Sequence, residues 1–401
     1  MAKILQINTV SNSGSTGKIV EGIGKMITNE GWKSYSAFGR EINNSKYSEE
    51  IIIGDKLDFY LHAIGTRLTD RHGFFSKKAT LNFMKKLEVI NPDIVHLHNI
   101  HGYFIHIKLL FQFLKKQKIP VIWTLHDCWS FTGHCAHYVA VNCNKWQTQC
   151  NNCPQLIQYP KSYKDSSFQN YKDKKEIFTS LNHIDIVTPS NWLAKEVSKS
   201  FLNKYSITVI NNGVDLISFS EKKNENLLNK LNIQNPKIVL GVASVWTQRK
   251  GYEDFIKLAE LLIDKNIILI MVGLNSQQLK KLPNNIIGIQ RTESLQQLSD
   301  LYSIADIFFN PTYEDNFPTT NIEALACGTP ILTYNTGGSP EIIDDNTGWV
   351  INQGDLGEAI TIIQSFEKTQ NVKINCRIRA EQLYNQEIKF MEYINLYKKY
   401  L

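Results

Sequence analysis

Residues 310–343 read NPTYEDNFPTTNIEALACGTPILTYNTGGSPEII. The stretch leaves an apolar run, crosses a polar loop, enters a helix, and returns through "PILTY" to a glycine turn. Pro318 suits the opening of that helix, because its missing N–H would be unpaired there anyway. Strand, loop, helix and strand in this order make one unit of a parallel sheet covered by helices, with the loop at the carboxyl edge where such folds bind ligands. The amides of Thr319, Thr320 and Asn321 are expected to be free to point at an anion. Glu323, early in the same helix, is placed to accept two hydroxyls, as on a ribose, and Asp315 precedes it by eight positions.

Outward from this stretch the same alternation fills the chain. The first half carries strand-like runs "KILQINTV", "DIVHLHN", "VIWTLHD", "DIVTPS" and "ITVINN", and after a polar stretch the pattern restarts with "KIVLGVAS", "IILIMVG", "NIIGIQ", "ADIFFNP" and "PILTY". Helix-length amphipathic segments separate the runs, which implies two doubly wound parallel sheets. At 401 residues the chain is too long for one core. The expected division is residues 1–215, residues 216–385, and a terminal helix over 386–401 packing back on the first domain. Two such domains facing each other would place a cleft at the carboxyl ends of both sheets.

Composition narrows the function. Up to Asp215 there are 26 Lys and Arg against 17 Asp and Glu, then 18 against 21, so the basic half suits an anionic partner. The basic residues are scattered, and nucleic acid is not an expected partner. No run approaches the length of a membrane span, and the first apolar run leads directly into the fold without the pattern of an export signal. Seven cysteines, an odd number in such a chain, suggest reduced thiols in the cytoplasm.

Residues 8–25, NTVSNSGSTGKIVEGIGK, imitate a nucleotide-phosphate loop. The pattern needs a glycine where Asn12 stands and a hydroxyl where Ile19 stands, so both ends fail and no magnesium ligand remains. What survives is a strand, a loop with Gly14 and Gly17, and a helix expected to start near Lys18, a potential anion seat.

With these features in order, the chain resembles the family 4 retaining glycosyltransferases, which have the GT-B fold of two Rossmann-like domains. The family's acid, seven residues, Glu, Ala and Gly-x-Pro step are matched by Asp315, Glu323, Ala324 and Gly328 to Pro330, with Glu314 beside the first acid. "VASVWTQRKGYEDFI" resembles the segment whose Arg and Lys hold the donor diphosphate. Lys250 matches the Lys, and because Ser244 occupies the usual Arg position, Arg249 is assigned the second charge. "TLHD" matches the family's His near the donor sugar with His126, and "SGSTGKI" matches its first glycine loop.

The resemblance implies transfer of a sugar from a UDP- or GDP-linked donor with retention, the leaving phosphate taking the acceptor's proton. Asp315 would touch the donor sugar and Glu323 the ribose, while Lys250, Arg249, the Thr319 to Asn321 amides and the Gly14/Gly17 loop stabilise the departing diphosphate. No Asp-x-Asp pair is present, and no catalytic metal is expected. The acceptor would be a growing glycan, linked to polyprenyl pyrophosphate, for a bacterial capsule, exopolysaccharide or O-antigen. A GT-B sugar-nucleotide epimerase and a non-catalytic nucleotide-sugar binder stay open as alternatives.

Residues 126–155, HDCWSFTGHCAHYVAVNCNKWQTQCNNCPQ, run into an insert of about 128–165 and hold five cysteines. Cys150 and Cys153 form a C-x2-C step, and Cys135 and Cys143 complete the set for a structural zinc. His137 is a substitute ligand and Cys128 lies outside; free thiols and a redox pair are the rival readings. Finally, Arg67, Arg71, His72, Lys77 and Lys78 with Phe74 and Phe75, and an apolar helix containing Leu109, Leu110, Phe111 and Phe113, suggest peripheral contact with the inner face of a membrane. The competing view is that these apolar residues are core.

Overall fold

The computed structural model describes residues 1–222, 227, 237–263 and 266–401, so the polar stretch marked as a boundary lies partly outside the described residues. The chain divides into two compact units, Met1–Asn211 with Lys389–Leu401, and Asn212–Ile388.

The first unit is built on β1 (Lys3–Ser11), β2 (Lys33–Ile42), β3 (Glu49–Ile52), β4 (Ile94–Leu97), β5 (Val121–Thr124), β6 (Ile184–Thr188) and β7 (Ser206–Val209). They pair in the order β3-β2-β1-β4-β5-β6-β7, all parallel. Helices α1 (Gly14–Asn29), α2 (Lys56–Thr69), α3 (Lys77–Ile90), α4 (Ile107–Gln117), α5 (Ser167–Phe178) and α6 (Asn191–Ser198) connect them. Strands β4 and β5 are buried at every position, which is why they read as apolar runs rather than alternating ones.

The second unit repeats the plan with β8 (Lys237–Val242), β9 (Ile267–Val272), β10 (Ile286–Ile289), β11 (Ile307–Asn310), β12 (Ile331–Tyr334) and β13 (Gly348–Ile351) in the parallel order β10-β9-β8-β11-β12-β13. Its helices include α7 (Tyr252–Leu261), α8 (Ser276–Leu279), α9 (Leu295–Ile304), α10 (Thr319–Ala326), α11 (Leu356–Ser365) and α12 (Gln370–Tyr384). In each sheet the strand order reverses beside the first strand, between β1 and β4 and between β8 and β11. These switch points put the carboxyl ends of those strands beside an open crevice, the usual ligand position in the fold.

One reading of the sequence needs correction. Helix α1 begins at Gly14 rather than near Lys18, so Gly17 lies inside it and its N–H already bonds Ser13 O at 3.2 Å. The last helix, α13 (Gln386–Tyr397), is set off from α12 by Asn385, whose backbone is extended. Val214 enters at the break, donating to Tyr384 O and accepting from Gln386 N. Gly213 permits this approach, because a Cβ there would meet Gln386 Cα at 2.4 Å. From Lys389 onward α13 belongs to the first unit, where Phe390, Tyr393, Ile394 and Tyr397 are buried with Ile19, Ile23 and Ile27 of α1.

Candidate active site

In the second unit the candidate residues gather at the ends of β8 and β11. The turn after β8 carries Arg249 and Lys250 and closes at Gly251, whose φ of +72° and 2.1 Å from an added Cβ to Pro311 O exclude a larger residue. Lys250 Nζ pairs with Asp315 Oδ2 at 2.5 Å. Arg249 donates from Nη1 to Glu314 O at 2.7 Å and accepts from Tyr313 N at 2.8 Å. The basic turn and the acidic loop are thus stitched together, and Lys250 and Asp315 each keep about a fifth of their side-chain surface exposed (21% and 20%). Glu314 is buried, 2% exposed, and its backbone serves the loop.

Behind the loop, Asn321 is buried and spans from Asn310, whose amide donates to Asn321 Oδ1 at 2.7 Å, to Ser339 Oγ at 2.9 Å. Asn321 N also donates to Pro318 O at 3.2 Å, so its amide is not the free anion donor expected from the sequence. Thr319 and Thr320 open α10, with Pro318 as the cap. Glu323 accepts from Tyr302 OH at 2.9 Å and from the Thr319 hydroxyl, and burial pushes its carboxyl up to about 7. Asp254, absent from the sequence reading, accepts from both Tyr313 and Tyr334 hydroxyls at 2.7 Å and fixes the floor below the loop. Nothing in the spacing of those tyrosines announced that convergence.

In the first unit His126 lies just beyond β5. Its Nε2 is 3.0 Å from His98 Nδ1, the two rings stacked, and His98 Nε2 is 3.2 Å from Gln6 Oε1. Gln6 Nε2 donates to Val20 O at 2.9 Å, which fixes the amide oxygen toward His98. His98 therefore donates from Nε2. Burial holds its pKa well below the usual value, so it is neutral and accepts at Nδ1, and His126 donates to it from Nε2. Burial also lowers His126 to about 4, leaving a neutral ring with its lone pair at Nδ1. The alternation in "DIVHLHN" carried the signal for His98, two residues from His96 on a strand and so on the same side. A second pair stands nearby: His101 Nε2 is 2.7 Å from Asp127 Oδ2. Gly14 has φ +59° beside Asn12 at +45°, and Lys18 Nζ bonds Asn12 Oδ1 at 2.9 Å.

The four thiols Cys135, Cys143, Cys150 and Cys153 line one small cavity, together with Tyr138 and Trp146. Gly133 N donates to Cys150 Sγ at 3.2 Å, Cys135 and Cys153 are hydrogen-bonded, and burial pushes Cys150 up to about 12. Among the described residues no three His, Cys, Asp or Glu side chains are gathered as a metal-holding group. His137 is not among the residues lining the cavity. Buried Lys174 ties the insert to the core, donating to Trp129 O at 2.8 Å and Thr132 O at 3.2 Å over the Trp129 ring.

The amphipathic segments assigned to a membrane are mostly committed elsewhere. Leu110, Phe111 and Phe113 are core, His72 is buried, and Arg71 bonds Asp173 and Asn170 while lying over Phe74. No helix among the described residues is long and apolar enough to cross a membrane.

Two parallel sheets that each reverse order beside their first strand, with a basic turn paired to an acidic loop ahead of a short helix, define a doubly wound two-domain α/β fold. Residues 47–217 match the model of "Glycosyltransferase Family 4" and residues 223–383 that of "Glycosyl transferases group 1". The chain belongs to the GT-B glycosyltransferases that these two domains describe. A putative colanic acid biosynthesis glycosyl transferase, WcaC of Escherichia coli, is 25% identical over 77% of this chain and 76% of its own. The Campylobacter jejuni N,N'-diacetylbacillosaminyl-diphospho-undecaprenol alpha-1,3-N-acetylgalactosaminyltransferase is 30% identical over 49% of this chain and 56% of its own. Among solved structures, Anabaena HepE in complex with UDP-glucose shares the fold with a TM-score of 0.69 at 14% identity, covering all of both chains (100% each).

Proposed function

We propose that this glycosyltransferase moves a sugar, with retention and without a catalytic metal, from a UDP- or GDP-linked donor to a growing lipid-linked glycan of a bacterial surface polysaccharide. The observation that carries the reading is the basic turn held against the acidic loop through Lys250–Asp315 and Arg249–Glu314. Departure of a nucleoside diphosphate builds negative charge, and fixed cations beside a helix start stabilise it without reorganisation. Glu323 accepts the ribose, Asp315 faces the donor while buried Glu314 holds the loop through its backbone carbonyl, and His126 serves the donor sugar through its Nδ1. The names of the colanic acid and undecaprenol-linked relatives support the acceptor class.

The test starts with melting curves in UDP, GDP, ADP, CMP and ATP-magnesium, because a ligand bound only by the native state raises the melting temperature. A shift with UDP or GDP that survives EDTA is expected, followed by turnover of the matching sugar nucleotide with the anomeric configuration kept. A shift only with ATP-magnesium, release of an epimer without acceptor, or binding without turnover would overturn the reading.

We also propose that Cys135, Cys143, Cys150 and Cys153 hold a structural zinc, supported by their shared cavity and the N–H···S bond to Cys150. Binding requires the side chains to turn toward a common centre. Metal analysis near one zinc per chain, with melting lowered by a chelator, is expected; well under one would remove it.

A further inference from the structure

Helix α2 presents its apolar residues outward. Leu57, Tyr60, Leu61, Ile64 and Leu68 are between 56% and 65% exposed, and their spacing places them along one stripe of the helix. The opposite side of α2 is anchored by buried groups: His62 Nδ1 lies 2.9 Å from Ser76 Oγ, and Thr66 is fully buried. The usual arrangement of a surface helix is therefore extended, with apolar residues on the outside as well. Single exposed apolar residues need no explanation, but a contiguous row of five on one helix does.

The surroundings decide what covers it. Ser76 caps α3, so α3 starts beside α2, and its exposed positions include Lys77, Lys78, Lys85 and Lys86 with Leu81, besides Asn82, Glu88 and Val89. Lys56 and Arg67 are exposed at the two ends of α2 itself. The acids nearby are few: Asp55 and Asp58 are occupied in the capping box of α2, and Glu88 stands in the last turns of α3. At the other end of the stripe Tyr163, 70% exposed, is held by its N–H to Arg67 O at 2.8 Å. An apolar row bordered by lysines, with aromatic hydroxyls at both ends, fits the headgroup boundary of an anionic bilayer: side chains enter the acyl edge while the cations meet lipid phosphates.

We infer that the face formed by α2 and the exposed lysines of α3 docks the first unit on an anionic phospholipid membrane. The inference deepens the proposed lipid-linked acceptor and rests on that reading for its purpose. Its test does not, because lipid binding is measured without donor or turnover.

The full chain is mixed with large vesicles of phosphatidylcholine, with and without phosphatidylglycerol, and bound protein is separated by flotation. Binding to the phosphatidylglycerol vesicles, weakened by added salt, is expected. Leu61→Glu/Ile64→Glu should lower the partition constant at least about tenfold, since a charge replaces apolar surface at the acyl boundary. Lys77→Glu/Lys78→Glu should lower it about tenfold on phosphatidylglycerol vesicles and leave phosphatidylcholine unaffected. All four positions are exposed, so unchanged melting and circular dichroism are expected and separate loss of binding from loss of fold. Absence of wild-type binding, or binding that both double variants retain, overturns the inference. So does a concentration-dependent dimer that Leu61→Glu/Ile64→Glu abolishes, which would assign the face to a second copy of the chain.

Discussion

Lys250 and Asp315, 65 positions apart in sequence, hold each other at 2.5 Å across the loop that precedes α10. A donor diphosphate would draw the ammonium away from the carboxylate and free Asp315 for the sugar. The pair is partly exposed, so its own contribution to stability is small, about 1 kcal/mol. Lys250→Ala should therefore melt within a few degrees of wild type while kcat/KM falls at least about a hundredfold. Steady-state kinetics on the donor identified by melting shifts decide it, and wild-type turnover removes Lys250 from the site.

The chain Gln6–His98–His126 fixes which nitrogen of His126 carries the proton. In nitrogen-15 spectra of the neutral protein, His126 should show a protonated Nε2 and His98 likewise, a pattern that does not depend on activity. Gln6→Glu supplies a carboxylate opposite His98 Nε2 and should raise the pKa of His98 and alter the pH–rate profile. A His126 protonated at Nδ1 would refute the assignment.

Acid should attack the first unit first. Burial holds His62, His72, His96, His98, His106 and His126 below the usual histidine range, to about 4 for His106 and His126. The unfolded chain binds these protons below about pH 6.5 while the folded one does not, so stability falls as pH falls, by about 1.4 kcal/mol per pH unit for each such group. Melting temperature measured between pH 7.5 and 5 should drop steeply below 6.5, and His62→Gln should make the slope shallower. A flat profile over this window would contradict the burial of these rings.

Gly337 should tolerate no side chain. With φ at +54° and an added Cβ at 1.8 Å from Asp315 O, Gly337→Ala must displace the loop that carries Asp315. A loss of about 3 kcal/mol is expected, together with weaker nucleotide-induced stabilisation. Gly14→Ala, which meets no atom within 4 Å and bears only the cost of positive φ, should lose about 1 kcal/mol. Denaturant melts of the two variants compare them directly, and equal losses would argue against a close approach at Gly337.

The parallel sheets were legible because their central strands are buried on both faces, and an apolar run such as "DIVHLHN" or "ADIFFNP" then needs no partner to be recognised. Strands β2 and β3 escaped because "KSYSAFGREI" and "EEII" mix polar and apolar residues near a sheet edge. Asp315 and Glu323 could be picked out since they lie in one loop and the helix it enters, whereas Lys250 was singled out only by the resemblance of its segment to the family's basic turn. His98, Gln6 and Asp254 could not be assigned roles, as their partners come from strands and helices far apart in sequence. The Asn321 amide was misread because Pro318 O, one turn back, already takes it. The apolar residues Leu110, Phe111 and Phe113 of α4 were read as a membrane face because they have the periodicity of an apolar stripe, but they face the core. Periodicity finds an apolar face, and only the neighbouring elements decide whether it is covered.

The Tyr397 hydroxyl lies 2.6 Å from His96 Nδ1, and Tyr393 meets Thr124, so the first sheet is finished by a segment that follows the entire second unit in the chain. During synthesis, β1 to β7 emerge with the side of β4 and β5 that α13 later covers still bare, and Gly22 holding an empty groove where the Phe390 ring will lie. The nascent first unit must wait, partly assembled, until the second has been translated. A ribosome-stalled fragment ending before Lys389 would accordingly be a substrate for chaperones rather than a folded domain.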